Sequence, residues 1–503
     1  AERAPAVNQT FRVRLSAAAG CMPVKVSGNV TGLEASLTLA PGETREISIH
    51  GQGPIGAEYE LTVQEEGGEN YTLHLLRYDP LERTLTLMTE MVERFASQGR
   101  DVADERGELA TLRLRQHELQ SAVTPNVSAE RRALYEARLA KRRLFFRDPD
   151  LQAIESILFV KRHAFEPSHN YSVLLDSRYR PGGGVYVLHI PRHDGRFDPA
   201  QAKLEPLFEA GGGIARNPVA NFDLTKVYFG YRPSADGYFH IMEMNTDGSE
   251  LNQITDGPFH DYWPCPLPDG GLAFISTRCR ARFICWRPQA AVLFRMDARG
   301  QDIRPLSFAN LSEWGPSVMS DGRIIWQRSE YIDKGADFSH TLWAIHPDGS
   351  HPELVFGNDI IQPNGYANGR EVPGTSEFLC TLVSHFGDLN GPLALVDPAK
   401  SRFSKQAITT LTPEVPWPGN WPMEECFRDG VPLARDYFLC SHAPQDQFGI
   451  YVIDRFGNRE LLYLDPEIGS MCPTPLRVQQ RPPVLGGKSG QEDAPGELFL
   501  ADV

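Results

Sequence analysis

Short runs of alternating apolar and polar residues fill the first 78 positions: "FRVRLS", "ASLTLA", "REISIH", "YELTVQ" and "YTLHLL", parted by turns such as "APGET". A period of two gives each strand one buried and one wet face, so residues 1–78 are expected to form a small β-sandwich. From 79 to 155 the period lengthens. "LERTLTLMTEMVERFASQ" places apolar residues three and four apart, and "SAERRALYEARLAKRRLFF" begins at Ser128, a suitable N-cap. Two helices joined by a polar segment are expected there, with a packing and spacing role.

From "ESILFVKRH" onward the pattern returns to strands and repeats about every 50 residues, the range of four-stranded propeller blades. Similar strands recur at "VYVLHI", "FHIMEM", "VLFRMD", "TLWAIH", "PLALVD" and "IYVIDR", several followed by turns such as "NTDGS", "PDGS" or "RFGN". A second β-rich strand precedes each: "ILFVKRH", "KVYFGYRP", "LAFISTRC", "RIIWQRSE", "FLCTLVSH" and "YFLCSH". The order of strands and Asp-Gly turns is that of TolB-type repeats, and six units fit. The first unit lacks an inner strand, whereas "SMCPTPLRV" follows the last unit without a partner. The expected fold is therefore mainly β: a six-bladed propeller over 156–485, closed by pairing 472–478 with 156–162, which covers both open edges.

Successive strands of a blade run antiparallel, so every second-to-third-strand loop emerges on one face. Each repeat carries a cation or imidazole there: Arg162 with His163, Arg232, Arg278, Arg328, His385 and His442. Arginine suits carboxylate or phosphate, and histidine suits proton transfer or metal. These residues are candidates for an anion or ligand site; satisfying loop carbonyls and neighbouring acids is the competing structural role. His385 and His442 are the catalytic candidates and, with Asp261 and Glu313, the metal candidates, although no HxH or HExxH occurs. Long loops at 164–183, 279–290 and 329–340 emerge on the same face, where function commonly sits. One of them holds Cys279 and Cys285, a candidate disulfide; free structural thiols are the alternative.

The formal net charge of −15 excludes a general nucleic-acid binder, which needs clustered basic residues. No apolar run approaches the roughly 20 residues of a membrane span. "AERAPAVNQT" looks like the end left by signal-peptide cleavage, so a periplasmic or secreted setting is expected. P-loop, GxSxG and correctly placed GxGxxG motifs are absent.

The combination of "ILFVKRH…PGGGVYVL", "ITDGPFHDYWPCPLPDGGLAFISTRC", "LSEWGPSVMSDGRIIW" and "FGIYVIDRFGNRELLYLDP…CPTPLR" resembles the middle, propeller-bearing region of hydrazine synthase alpha-subunit-like proteins, over roughly residues 130–485. The resemblance implies protein partners in a haem-redox or envelope assembly that joins nitric oxide and ammonium into hydrazine. It places the c-type haems chiefly in a domain after the propeller. This chain has no CxxCH, so no haem attachment is expected within it and synthase activity does not carry over. "GELFLADV" reads as an interrupted strand, making 486–503 the expected start of a further segment. Two functions follow as expectations: an exported propeller binding a ligand or partner on its Arg/His face, or a propeller lyase or hydrolase acting on an acidic saccharide, with or without a metal ion.

Overall fold

The computed structural model of the chain describes the strands between residues 9 and 76, and residues 80–485 apart from 123–125, 167, 170–176, 283–288, 310, 334–336, 420–425 and 445–446. It divides into two compact units, Ala1–Asp148 and Pro149–Val503. No described helix is long and apolar enough to cross a membrane.

In the first unit, Gln9–Ser16 pairs antiparallel with Thr44–Gly51. A separate four-stranded sheet runs in the order Leu37–Leu39, Val24–Gly28, Glu58–Glu65, Asn70–Leu76. Three helices, among the described residues, replace the two expected: α1 (Pro80–Ser97), α2 (Ala103–Ser121) and α3 (Val127–Phe145). The α1 stripe Leu81, Leu85, Met88, Val92 and Phe95 is buried. It faces an α3 stripe of Ala133, Ala137, Ala140 and Leu144, whose small residues let the helices approach closely.

The polar segment is itself α2. It buries only Leu112 and Gln116, so it lacks the apolar stripe that announces a packed helix. Its residues are good helix formers, and Arg113–Glu82 (2.8 Å) and Arg115–Glu136 (2.6 Å) tie it to its neighbours. The cap of α3 is also corrected. Asn126, not Ser128, accepts from the Ala129 backbone N–H at 3.1 Å, because its side chain reaches the third N–H of the helix.

The second unit is built from antiparallel sheets whose strands succeed one another in sequence. They include Ile214–Ala220 to Asn252–Gln253, Asp261–Pro266 to Arg304–Pro305, and Phe427–Pro432 to Arg459–Tyr463. The strands from Glu313–Val318 to Ile408–Thr410 form two such groups, joined by a single parallel bridge from His340 to Gly365. In the remaining sheet the order is Lys203–Glu209, Gly184–His189, Ser156–Lys161 and Ser470–Pro475. Its last pair is antiparallel, with Met471 opposite Val160 and Thr474 opposite Leu158.

In the sheets of consecutive strands the first strand lies innermost, and Ser470–Pro475 takes that place in the remaining one. Each inner strand touches the next, and Ser470–Pro475 touches both Phe427–Pro432 and Ile214–Ala220. Second strands such as Leu272–Ser276 and Phe378–Val383 are buried throughout. That is why they read as continuous apolar runs, and each fully buried Phe or Leu contributes about 1.5–3 kcal/mol.

The repeated turns have a common chemistry. The Asp247 and Asp348 carboxylates accept the backbone N–H of Ser249 (2.9 Å) and Ser350 (2.8 Å), across Gly248 and Gly349 at φ +81° and +88°, a region open to glycine. After Pro475 the chain runs on past neighbouring sheets. The Gln479 N–H donates to Phe222 O at 3.0 Å, and Arg481 donates to Pro268 O at 3.2 Å.

Replacing Asn126 by Ala is expected to destabilise the first unit by about 1 kcal/mol. A urea titration followed by helical circular dichroism would show this as a lower midpoint with an unaltered slope.

Candidate functional site

Every inner strand is kinked at its third or fourth residue. Asn217, Trp263, Gly315, Asn368, Asp429 and Cys472 all adopt φ between +49° and +61°, and the pairing register with the second strand slips beside each. The next residue is Pro218, Pro264, Pro316, Gly369, Gly430 or Pro473. Proline cannot donate to a ladder, and a bulge is where a buried strand tolerates it. At Gly315 a Cβ would lie 2.7 Å from Asn368 Oδ1, so a larger residue would have to displace the Asn368 side chain.

The kinked residues join in a polar girdle. Asn217 Nδ2 reaches Cys472 Sγ at 3.6 Å, the Cys472 N–H donates to Asp429 Oδ2 at 3.1 Å, and Asn368 Nδ2 lies 3.4 Å from Asp429 Oδ1.

On one side of the girdle lies a cavity of about 270 Å³, lined from the kinks to the C-terminal ends of the inner strands. Its polar wall includes Ser317, Arg370, Glu371 and Arg477. Arg370 Nη1 donates to Ser317 Oγ at 2.8 Å, and its buried Nε has no partner among the described residues. Arg477 Nη2 donates to Leu433 O at 3.1 Å. Glu371 is held by Ser320, accepting from its backbone N–H (2.6 Å) and hydroxyl (3.0 Å). Cys265 and Cys472 also line the cavity, but burial pushes both thiols up to about 12, which withholds the nucleophilic thiolate.

On the other side, the loop after Val383 closes over a buried charge cluster. Asp388 Oδ2 accepts from Arg428 Nη1 (2.7 Å) and Arg162 Nη2 (3.1 Å), and Arg428 Nε donates to Asp429 Oδ2 (2.9 Å). The two guanidiniums hold the Asp388 carboxyl below its ordinary range against the effect of burial. Arg216 donates to Asn217 Oδ1 at 2.6 Å. Burial and the neighbouring Arg162 push its pKa down to about 10.

The residues singled out from the sequence occupy this second end. Register places the starts of the inner strands opposite the ends of the second strands, as in Asp261 with Ser276, Glu313 with Arg328, and Phe427 with His442. The cavity lies toward the opposite end. Most of the expected cationic groups are engaged within their own sheets. Arg278 pairs with Asp261 at 2.7 Å, Arg232 donates to the carbonyls of Ser234 and Ala235, and Arg328 lies 4.8 Å from the Trp343 ring. His163 contacts Arg180 at 3.1 Å, and burial first, then the two nearby arginines, lower its pKa.

His385 is buried with its Nδ1 3.2 Å from His340 Nε2. His442 stacks on Phe427 with ring centroids 3.9 Å apart; its Nδ1 meets Cys426 O at 2.7 Å and its Nε2 faces Arg459 at 3.2 Å. Of the expected set, Arg162 alone enters the central charge cluster.

Asp261 accepts from the Ser276 hydroxyl at 2.6 Å. Glu313 accepts from the Leu293 N–H (2.7 Å) and the Ser307 hydroxyl (2.6 Å), and burial raises its pKa. Among the described residues, no three His, Cys, Asp or Glu side chains converge as metal ligands would. Cys279 is a free thiol 3.4 Å from Ala290 O; Cys285 lies outside the described residues.

Sequence reasoning missed Arg216, Arg370, Asp388, Arg428 and Arg477. A signal for the inner strands was present: "RNP", "YWP", "WGP", "ANG", "RDG" and "MCP" recur at the same place in each repeat.

Sheets stacked around innermost strands in this order define a β-propeller. No family model and no curated protein matches the chain. Among solved structures, the chain is similar to hydrazine synthase from Kuenenia stuttgartiensis, at 18% identity and a TM-score of 0.53, over 68% of this chain and 50% of that one. It thus spans about half the length of that chain. TolB from Acinetobacter baumannii matches at 10% identity and a TM-score of 0.42, over 90% and 82% of the two chains. Oligogalacturonate lyase from Vibrio parahaemolyticus matches at 12% and 0.35, over 64% and 81%. At 18% identity the first of these is a likeness of fold.

Two outcomes are expected from the buried charges. Asp388→Ala leaves two buried guanidiniums without their shared acceptor and should cost about 3–5 kcal/mol, read from chemical denaturation. His260 and His442 are held near 4 and His385 near 3, chiefly by burial, against about 6.5 in an unfolded chain. Between those values the unfolded state binds more protons, so stability rises with pH. It should be complete above about pH 6.5 and decline toward pH 4, and His442→Gln should flatten that decline in urea midpoints taken across the range.

Proposed function

We propose that this chain is a binding module: a closed six-bladed propeller that takes a small anionic ligand, a carboxylate or phosphate, in its central cavity between Arg370 and Arg477. The observation that carries the reading is charge. In a chain of net charge −15, these two arginines line one cavity, and among the described residues neither forms an ion pair. Arginine is the side chain whose planar donors match such oxyanions.

The volume of about 270 Å³ falls near the lower bound of small-molecule pockets, about 300 Å³. It therefore favours a one-ring ligand such as an acidic monosaccharide over a polymer. The proposed site stands at the end of the propeller opposite the Arg/His face expected from the sequence. The wider context of the proposal, a haem-redox or envelope assembly in an exported setting, rests on the sequence resemblance and the character of the N-terminal residues; the likeness to hydrazine synthase adds the propeller fold.

Binding is favoured over turnover. A general base must lie within hydrogen-bond reach of its substrate, and His385 and His442 do not line the cavity. Glu371 is committed to Ser320, and Asp429 is committed to Arg428.

Calorimetric titration with galacturonate and with inorganic phosphate tests the reading. Arg370→Gln and Arg477→Gln should each weaken binding about 10- to 100-fold, the equivalent of one charged hydrogen bond. Affinity unaltered in both variants, or no binding of either probe, refutes it.

A further inference from the structure

The charge cluster beyond the girdle does not balance. Three guanidiniums, Arg162, Arg216 and Arg428, are 1%, 3% and 2% exposed. Two buried carboxylates face them, and both are taken by Arg428, with Arg162 sharing Asp388. Arg216 has no carboxylate partner among the described residues; its one hydrogen-bond acceptor there is the neutral Asn217 side chain.

Around it stand four aromatic rings, Tyr262 (4.8 Å), Trp263 (5.2 Å), Phe165 (5.5 Å) and Phe239 (5.5 Å). Ring faces attract a cation, but they do not accept hydrogen bonds directed along the guanidinium plane. Arg216 Nη1 and Arg162 Nε are both buried donors without an acceptor among the described residues. Their guanidiniums lie against the same ring, Phe165, at 5.5 and 4.4 Å. A buried charge left uncompensated costs several kcal/mol, and a buried donor left unsatisfied adds about 1–3 kcal/mol.

We propose that Arg216 Nη1 and Arg162 Nε hold a buried monovalent anion of the halide class, chloride in solution, between the girdle and the Asp388 loop. A halide supplies both the missing negative charge and an in-plane acceptor. Because the donors are sealed from solvent, the guest must shed its water. This selects weakly hydrated chloride or bromide against phosphate, so the site is separate from the cavity of Arg370 and Arg477.

The test is thermal unfolding of the full chain at constant ionic strength, with sodium chloride replacing sodium gluconate. A saturable rise in Tm of a few degrees is expected, with bromide acting likewise; a rise with phosphate belongs to the cavity and should be kept in Arg216→Gln and reduced in Arg370→Gln. Arg216→Gln should abolish the response. A Tm indifferent to chloride, or a response kept in Arg216→Gln, overturns the proposal. Loss of the response in Arg370→Gln instead would place the anion in the cavity and also overturn it. Should Arg216→Gln not fold, crystals of the natural chain grown in sodium bromide decide: an anomalous peak within hydrogen-bond distance of Arg216 is expected, and water alone there refutes the site.

Discussion

One carboxylate, Asp388, joins parts of the propeller that are far apart in the chain. It takes Arg162 from the end of one second strand and Arg428 from a different inner strand, 226 and 40 residues away. The loop that carries it is fixed at the same time. The Gly387 N–H donates to Ser168 O at 2.6 Å, and Leu389 sits among Trp263, Trp314 and Trp326 in one apolar cluster of the unit. Burying such charges is costly, and only mutual pairing offsets the cost. The loop, the first sheet and the Phe427–Pro432 strand therefore stand or fall together.

The kink shared by the inner strands has a different physical source. Asparagine, aspartate and glycine adopt the left-handed conformation readily, whereas Trp263 and Cys472 do so at a cost of about 1 kcal/mol or more. The slip re-aims the side chains on either side of it. Residues before the kink, such as Arg216 and Arg428, enter the charge cluster. Residues after it, such as Pro218 and Pro473, face the cavity. One backbone device thereby separates a buried, aromatic-lined compartment from an open, proline-walled one.

The strands were legible because alternation and repeat phase are properties of neighbours in sequence. The turns were legible because Asp-Gly chemistry is local. Helix α2 was not, since its partners Glu82 and Glu136 lie on other helices and it carries no apolar stripe of its own. The partners of the candidate cations and histidines were not legible for a related reason. A cation repeated at one position reports the end of the strand it occupies, and says nothing of which acid the fold sets beside it. Asp261 sits opposite Arg278's strand, and Arg459 reaches His442 from the next strand but one, so local pairing consumed residues that composition had singled out. Arg370 and Arg477 carry no repeat signal. What sets them apart is that neither meets a carboxylate among the described residues, which only three dimensions reveal.

The pairing of Ser470–Pro475 with Ser156–Lys161 carries a consequence for biosynthesis. Lys161 and its ion-pair partner Asp465 are separated by 304 residues, so an emerging nascent chain must hold its first propeller strand with one margin uncovered until nearly the whole domain has left the ribosome. An uncovered strand of alternating and apolar residues is a template for wrong partners, and its rightful partner arrives last. The hazard is greatest when translation pauses inside the domain, and the reward for completion is that the open margin of Ser156–Lys161 is covered in one step.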